Sequence, residues 1–203
     1  LSFMMQPTSV ALIGVEDGTS HLGRVVVENL KSGGYKGDIF TVGAGWGSIE
    51  GIVNHPVIEQ MPRAPDLSIV LSDPNSLPGL ISSLGGLGGK AAVILTGRSA
   101  GGGDQQPRAL HTAVMQAAKP HGLRLLGFNS LGIMVPGSSL NASLAHLQPL
   151  KGKLAFVAQS GAVLSAVLDW ATSRRIGFSS LIALGSMIDV DFGDALDVLS
   201  NDL

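Results

Sequence analysis

VALIGVEDGTSHLGRVVVENL, residues 10–30, decides the fold. An apolar run at 10–15 ends in a loop with glycine, and apolar residues then return at helical spacing as Val26, Val27 and Leu30 before SGG closes the helix. The reading is strand, loop, helix. The same signal recurs down the chain: strands are predicted at 39–42, 67–71, 91–96 and 123–126, and helices at 76–84, with Pro78 in the first turn, and at 107–118. A β/α order with right-handed crossovers predicts an α/β fold, a doubly wound parallel sheet. An apolar content of 45% against 14% charged residues fits strands covered on both faces, which read as continuous Val, Ile and Leu runs.

The stretch PGSSLNASLAHLQP, residues 136–149, interrupts the alternation and reads as a connection between domains. The expected organisation is a first domain at 1–135, a linker at 136–150 and an incomplete second α/β domain at 151–203. Within the last, strands are predicted at 154–157 and 178–184, and helices at 161–173 and 192–199. Two βα units cannot cover both sides of a sheet, so another segment or chain is expected to complete it.

Composition excludes several classes of function. A net charge of −2, without any aromatic and basic cluster, gives no field for nucleic acid or an anionic membrane. The absence of cysteine removes disulfides, thiolate metal sites and a thiol nucleophile. LSFMMQPTSV, residues 1–10, is neither a basic leader nor a long apolar segment, and a soluble cytoplasmic protein is expected. The 28 glycines include loops such as GAGWG, GGLGG and AGGGD that suit close approach by a ligand or a neighbouring strand.

Two turns carry the chemistry. A strand that feeds a helix through glycine exposes backbone N–H groups and the positive end of the helix dipole, so it attracts phosphate. In GVEDGTSHLG, Gly14 lets the chain leave the strand, Gly18 permits the tight loop, Gly23 allows close approach, and Thr19 and Ser20 add hydroxyls. The spacing is longer than the G-x-G-x-x-G fingerprint, and the second strand ends in Val42–Gly43, not the acidic residue that would hold a dinucleotide ribose. A capping loop without ligand is the plainer alternative.

The second turn lies in FVAQSGAVLSAV, residues 156–167. A nucleophile elbow would need glycine where Ala158 and Ala162 stand. Two readings remain, Ser160 as a helix N-cap, or Ser160, Gly161 and Ala162 as a second phosphate cradle, and the cradle is preferred. None of the histidines at 21, 55, 111, 121 and 146 forms a metal-ligand spacing, although His21 lies in the first loop. Asp189, Asp191 and Asp194 form an acidic turn that reads as a helix cap ahead of a Mg2+ site, and no metal site is assigned.

With both turns placed, the chain resembles the NDP-forming acyl-CoA synthetase family, whose members include the succinyl-CoA synthetase alpha subunit. SVALIGVEDGTSHLGRVVVENLKSGGYKGDIFTV resembles the family's CoA-binding opening, and APDLSIVLSDPNSLPGLI and AAVILTG its next two loops. LRLLGFNSLGIMVPGSSLNASLAHL resembles the exit from that domain, and 152–199 the start of the ligase domain that follows. The resemblance implies a Rossmann-like first domain and the start of a flavodoxin-like second one. It implies coenzyme A or acyl-CoA as ligand, with nucleotide and pyrophosphate near Gly18, Thr19, Ser20, Leu22 and Gly23. The loop after Val42, the segment Ser72, Pro74 and Asn75, then Thr96, Gly97 and Arg98, and Asn129 would complete the site.

By the same resemblance, Ser160 and Gly161 begin a helix whose amino end meets a phosphorylated histidine. The family's histidine belongs to a segment past the acidic turn, and none of the five here aligns with it. The implied partners are a downstream ligase or ATP-grasp segment or subunit, with a homo-oligomer left open. This chain alone is expected to bind CoA and not to ligate. The family's Asn-Pro-Lys after the second strand is TVGAGWG here, which leaves Arg24, Lys31 or Arg98 to meet the CoA 3′-phosphate, and the family's Pro-Asn turn is Phe128–Asn129. Trp46 and NSLG resemble a branch fused to a lysine acetyltransferase, which implies the alternative of an acyl-CoA sensor.

Overall fold

A computed structural model of the chain describes residues 1–14, 20–47, 49, 51–96 and 105–200. Gly18, Thr19, Gly97 and Arg98, expected from sequence to border the ligand, lie outside the described residues. After a short helix α1 (Ser2–Met5), the first sheet is built from β1 (Ser9–Ile13), β2 (Asp38–Val42), β3 (Val53–His55), β4 (Leu67–Val70), β5 (Ala91–Ile94) and β6 (Arg124–Leu126). Its connecting helices are α2 (Ser20–Ser32), α3 (Leu77–Leu87) and α4 (Gln105–Ala118). All neighbouring strands pair in parallel, in the order β3-β2-β1-β4-β5-β6. The chain therefore winds outward in both directions from β1 and β4, whose carboxyl ends flank the point where the strand order reverses.

The second sheet contains β7 (Gly132–Val135), β8 (Leu140–Ser143), β9 (Lys151–Ala158) and β10 (Phe178–Ala183), with α5 (Gly161–Ser173) between the last two and α6 (Phe192–Ser200) after them. Its order is β8-β7-β10-β9, with β7 antiparallel to both β8 and β10, and β9 parallel to β10. The stretch read from sequence as a plain connection thus holds an edge strand, β8, buried along its length. A turn at Pro136–Ser138, ended by Ser139 at φ 58°, folds β8 back on β7. Its polar letters misled because they are satisfied internally. The Ser143 hydroxyl donates to Asn141 Oδ1, Asn141 Nδ2 donates to Gln148 Oε1, and Gln148 Nε2 donates to the Asn29 carbonyl.

The two sheets share a core. Alternate residues of β1 face opposite ways, Val10 and Leu12 into one apolar cluster and Ala11 and Ile13 into another. The first cluster also takes Ile133, Val135, Leu140, Ala142 and Ile182 from the second sheet, so α2 is sandwiched between them. Asn29 of α2 fastens this contact by donating to the carbonyls of Ser143 at 2.9 Å and Ala145 at 2.8 Å. The third cluster lies under α5, with Leu164, Leu168 and Ala171 against Met134, Leu181 and Ala183.

At the amino ends of the central strands one carboxylate gathers three segments. Asp66 accepts from Thr8 N at 2.9 Å, Thr8 Oγ1 at 2.6 Å and Lys90 Nζ at 2.8 Å. Burial alone would raise its pKa, but the bonds from Lys90 and Thr8 outweigh it and hold the group down from 3.8 to about 2. A depressed carboxyl contributes stability that is complete above its unfolded value and disappears as pH falls through the folded one. Unfolding followed against pH is therefore expected to show stability falling between about pH 4 and about pH 2. Asp66→Asn should flatten that limb, and an unchanged slope in the variant would refute the assignment.

Candidate functional site

Open α/β sheets bind ligands in the crevice outside the carboxyl ends of the strands where the order reverses, which here lies between β1 and β4. Leu71 N–H donates to the Ile13 carbonyl at 2.9 Å and Gly14 N–H to the Val42 carbonyl at 3.1 Å, which sets the ends of β1, β2 and β4 side by side. Gly14 has φ 79°, and a Cβ there would lie 1.5 Å from Ser72 Oγ. Only a glycine lets Ser72 come so close. Ser72 is 1% exposed, and its hydroxyl has no partner among the described residues. One strand further on, Thr96 Oγ1 is also buried without a partner among the described residues. Native proteins pair nearly all buried polar groups, so two unpaired hydroxyls beside one crevice suit a ligand that supplies the missing bonds.

The other predicted residues of this crevice sit as follows. Leu22 is half-buried and Gly23 buried in the first turns of α2, with His21 exposed beside them. Half-buried Pro74 and exposed Asn75 form a turn in which Asn75 N–H donates to Asp73 Oδ1 at 2.8 Å. Val42 is buried, its carbonyl taken by Gly14 and by Trp46 Nε1 at 3.1 Å, so it shapes the wall through its backbone. Trp46, 1% exposed, plugs the loop after β2 from beneath, a structural role that the sequence reading did not assign. Of the cations weighed as replacements for the family's lysine, Arg24 reaches this loop, with Nη2 at 3.4 Å from the Trp46 carbonyl. Lys31 lies about 10 Å further along the helix axis.

The second turn lies across the interface between the sheets. Ser160 is the N-cap of α5, its hydroxyl accepting from Val163 N–H at 3.4 Å. Gly161 fits closely, since a Cβ there would lie 2.9 Å from Leu131 Cβ. The turn opens on a cleft of about 680 Å3 whose walls include Leu95 and Asn129 from the first sheet's carboxyl edge, and Ser160, Gly161, Gly185 and Ser186 from the second. Asn129 has φ 55°, and its N–H donates to the Thr96 carbonyl at 3.1 Å. That bond ties the cleft wall to the residue holding the second unpaired hydroxyl, so the two predicted sites are neighbours.

The acidic turn is structural. Asp191 Oδ1 accepts from Asp194 N–H at 3.1 Å at the start of α6, which is the cap expected from sequence. Asp189 takes Arg124 Nε at 2.9 Å and Leu125 N–H at 2.8 Å, and Asp194 takes Arg124 Nη2 at 3.0 Å. Among the described residues no group of three His, Cys, Asp or Glu side chains is placed to hold a metal ion. Among those residues, too, no helix is long and apolar enough to cross a membrane.

Residues 8–136 match the CoA binding domain, and residues 151–203 match the succinyl-CoA ligase like flavodoxin domain. The chain belongs to the CoA binding domain family. The resemblance to NDP-forming acyl-CoA synthetases is carried by named relatives as well. The acetate–CoA ligase (ADP-forming) of Methanocaldococcus jannaschii is 32% identical over 100% of this chain and 28% of its own length. The alpha subunit of acetate–CoA ligase (ADP-forming) I of Pyrococcus furiosus is 28% identical over 100% of this chain and 44% of its own. A dinucleotide forming acetyl-coenzyme A synthetase 1 of Ca. Korarchaeum cryptofilum, solved both without ligand and with phosphate and ADP, superposes with a TM-score of 0.90 at 27% identity. That likeness covers 100% of this chain and 43% of the neighbour. The chain thus spans less than half the length of these relatives. They are ligases or synthetases, and nothing in these matches favours the acyl-CoA sensor.

Proposed function

We propose that this CoA binding domain chain is the CoA-handling part of an ADP-forming acyl-CoA synthetase of the cytoplasm. CoA or its acyl thioester lies along the carboxyl ends of β1, β2, β4 and β5. Gly14 and the α2 amino end, with Gly18, Thr19, Ser20, Leu22 and Gly23, take the pyrophosphate. Ser72 and Thr96 donate from beneath, Val42, Pro74, Asn75, Gly97 and Arg98 border the site, and Arg24 meets the 3′-phosphate. Asn129 turns the thioester end toward α5.

In the complete assembly, inorganic phosphate attacks the thioester carbonyl and CoA leaves as the thiol, giving an acyl phosphate. A histidine outside these 203 residues takes the phosphoryl group, releases the carboxylate and passes phosphate to the nucleoside diphosphate. Ser160 and Gly161 serve that step. The backbone N–H groups of the first turn of α5, and the dipole behind them, stabilise the migrating oxygens. The observation that carries this reading is the cleft that joins the carboxyl edge of the first sheet to the amino end of α5. A downstream ligase segment or subunit supplies the histidine and the nucleotide.

Titration calorimetry tests the first half. Saturable CoA binding is expected, and Ser72→Ala should weaken it about 5- to 10-fold, the size of one neutral hydrogen bond of about 1 kcal/mol. The same substitution should leave thermal stability unchanged or raise it, because it removes a buried hydroxyl that has no partner in the unliganded chain. Thr96→Val should behave alike. Absence of heat at millimolar CoA, or a stability loss equal to the affinity loss, would reject the assignment.

A further inference from the structure

The turn at 127–130 separates two hollows. On one side is the cleft at the amino end of α5. On the other, a groove of about 500 Å3 runs between α4 and the turn after β10, lined by His111, Met115, Lys119, Ser186, Met187 and Ile188 among others. Ser186 borders both. The partition is a double turn. Ser186 N–H donates to the Phe128 carbonyl at 2.8 Å and Ile188 N–H to the Gly127 carbonyl at 3.3 Å. Gly185 cannot carry a side chain, since its Cβ would lie 2.0 Å from the Phe128 carbonyl oxygen.

Backbone bonds hold one edge of this partition, and a side chain holds the other. Phe128 is 4% exposed, and its ring stacks on the His111 imidazole with centroids 4.7 Å apart and planes 24° apart. His111 does not line the cleft and touches nothing proposed to react, yet it packs directly on the Phe128 ring. We propose that His111 is a positioning residue, a neutral imidazole whose stacking on Phe128 keeps the double turn, with Asn129 and Ser186, in the shape that receives the CoA end in the α5 cleft. The role rests on the functional reading above and adds a residue that it does not use.

The stack is a neutral one. Burial holds the His111 pKa below the 6.5 of a free imidazole. The 127–130 turn offers it the Phe128 ring, the turn after β10 offers Met187 and Ile188, and α4 itself offers Met115 and the cation of Lys119, with Arg108 exposed one turn earlier. Among the described residues lining the groove there is no carboxylate to balance an imidazolium. Attraction of a charged ring for an aromatic face is a weak compensation for uncompensated burial of charge. Because the folded state disfavours protonation, the stack is intact above the unfolded value and weakens as pH falls below it.

Amide hydrogen exchange at Ser186 and Ile188, corrected for the intrinsic pH dependence, reads the double turn without any ligand. Protection in the wild-type chain is expected to fall as pH is lowered from about 7.5 to about 5.5. His111→Phe keeps the stack but cannot charge, and should hold full protection at both pH values. His111→Ala should be low at both. CoA affinity by calorimetry should follow the same order, with an acid limb in the wild type that His111→Phe lacks. Parallel pH profiles in the wild type and His111→Phe would overturn the proposal, and that comparison does not depend on His111→Ala folding. Protection that follows His111 while no variant gives heat with CoA would sink the functional reading and leave the His111 partition standing.

Discussion

Gly14→Ala is expected to unfold this protein more readily by about 3–5 kcal/mol, lowering its midpoint by about 10 °C, and to abolish CoA binding. Two separate costs add. The backbone at φ 79° is one that a residue with a Cβ adopts only under strain of about 1–3 kcal/mol. The new methyl would also sit 1.5 Å from Ser72 Oγ, 2.7 Å from its Cβ and 3.1 Å from its Cα, so the end of β4 itself must move. Such overpacking costs about 1–3 kcal/mol. Gly14→Ala combined with Ser72→Gly removes the collision and keeps the strain, so thermal or urea unfolding should show recovery of roughly half the loss. CoA binding should stay weak in the double variant because the hydroxyl is gone. No recovery in the double variant would show that the contact between β1 and β4 is not what excludes a side chain at 14.

Asp189→Ala should cost about 2–3 kcal/mol, toward the low end for a broken partly buried pair because the Arg124 side chain keeps a third of its exposure. The carboxylate is shared between Arg124 Nε and Leu125 N–H, so its removal leaves the guanidinium with Asp194 alone and strands a backbone donor at the edge of the first sheet. Next to it Val190 N–H donates to the Leu125 carbonyl at 3.0 Å, which makes the turn after β10 a cover for the open edge of β6. Asp189→Asn retains an acceptor for Leu125 and should lose less than half as much. Arg124→Met with Asp189→Leu removes the pair together and leaves Asp194 its backbone bond from Asp191 N–H, so it should recover part of the Asp189→Ala loss in a double-mutant cycle. Equal losses for Asn and Ala would mean that the charge pair alone matters and the edge-capping bond contributes nothing.

The parallel strands β1, β4 and β5 were legible because each is buried on both faces and reads as an unbroken apolar run. Their helices followed from periodicity, and Gly161–Ser173 was placed to the residue because Ser160 announces its start. Strand β3, only Val53–His55, carries too few residues to show a pattern. Strand β8 was hidden for a different reason. Asn141 and Ser143 look like loop residues, and only the partners gathered from α2 and from Gln148 make them tolerable inside.

At the candidate site, the glycine turn and the helix start of α5 could be read locally, and so could a helix cap within the acidic turn of Asp189, Asp191 and Asp194. Trp46 gave no local sign that it would anchor the loop after β2 through the Val42 carbonyl. Nor could His111 be connected with Phe128, since neither a helix period nor a turn rule links an α4 residue to the end of β6.

Taken by itself, the sequence determined the α/β order, the two glycine-led helix starts and the likeness to acyl-CoA synthetases, because periodicity, capping and turn chemistry act between residues a few positions apart. Tertiary structure decided that both sheets close over one core, that Gly14 makes room for an unpaired Ser72 hydroxyl, and that Asn129 and Ser160 border a single cleft. Those contacts join residues distant along the chain, and they exist only once side-chain packing has chosen which strand lies beside which.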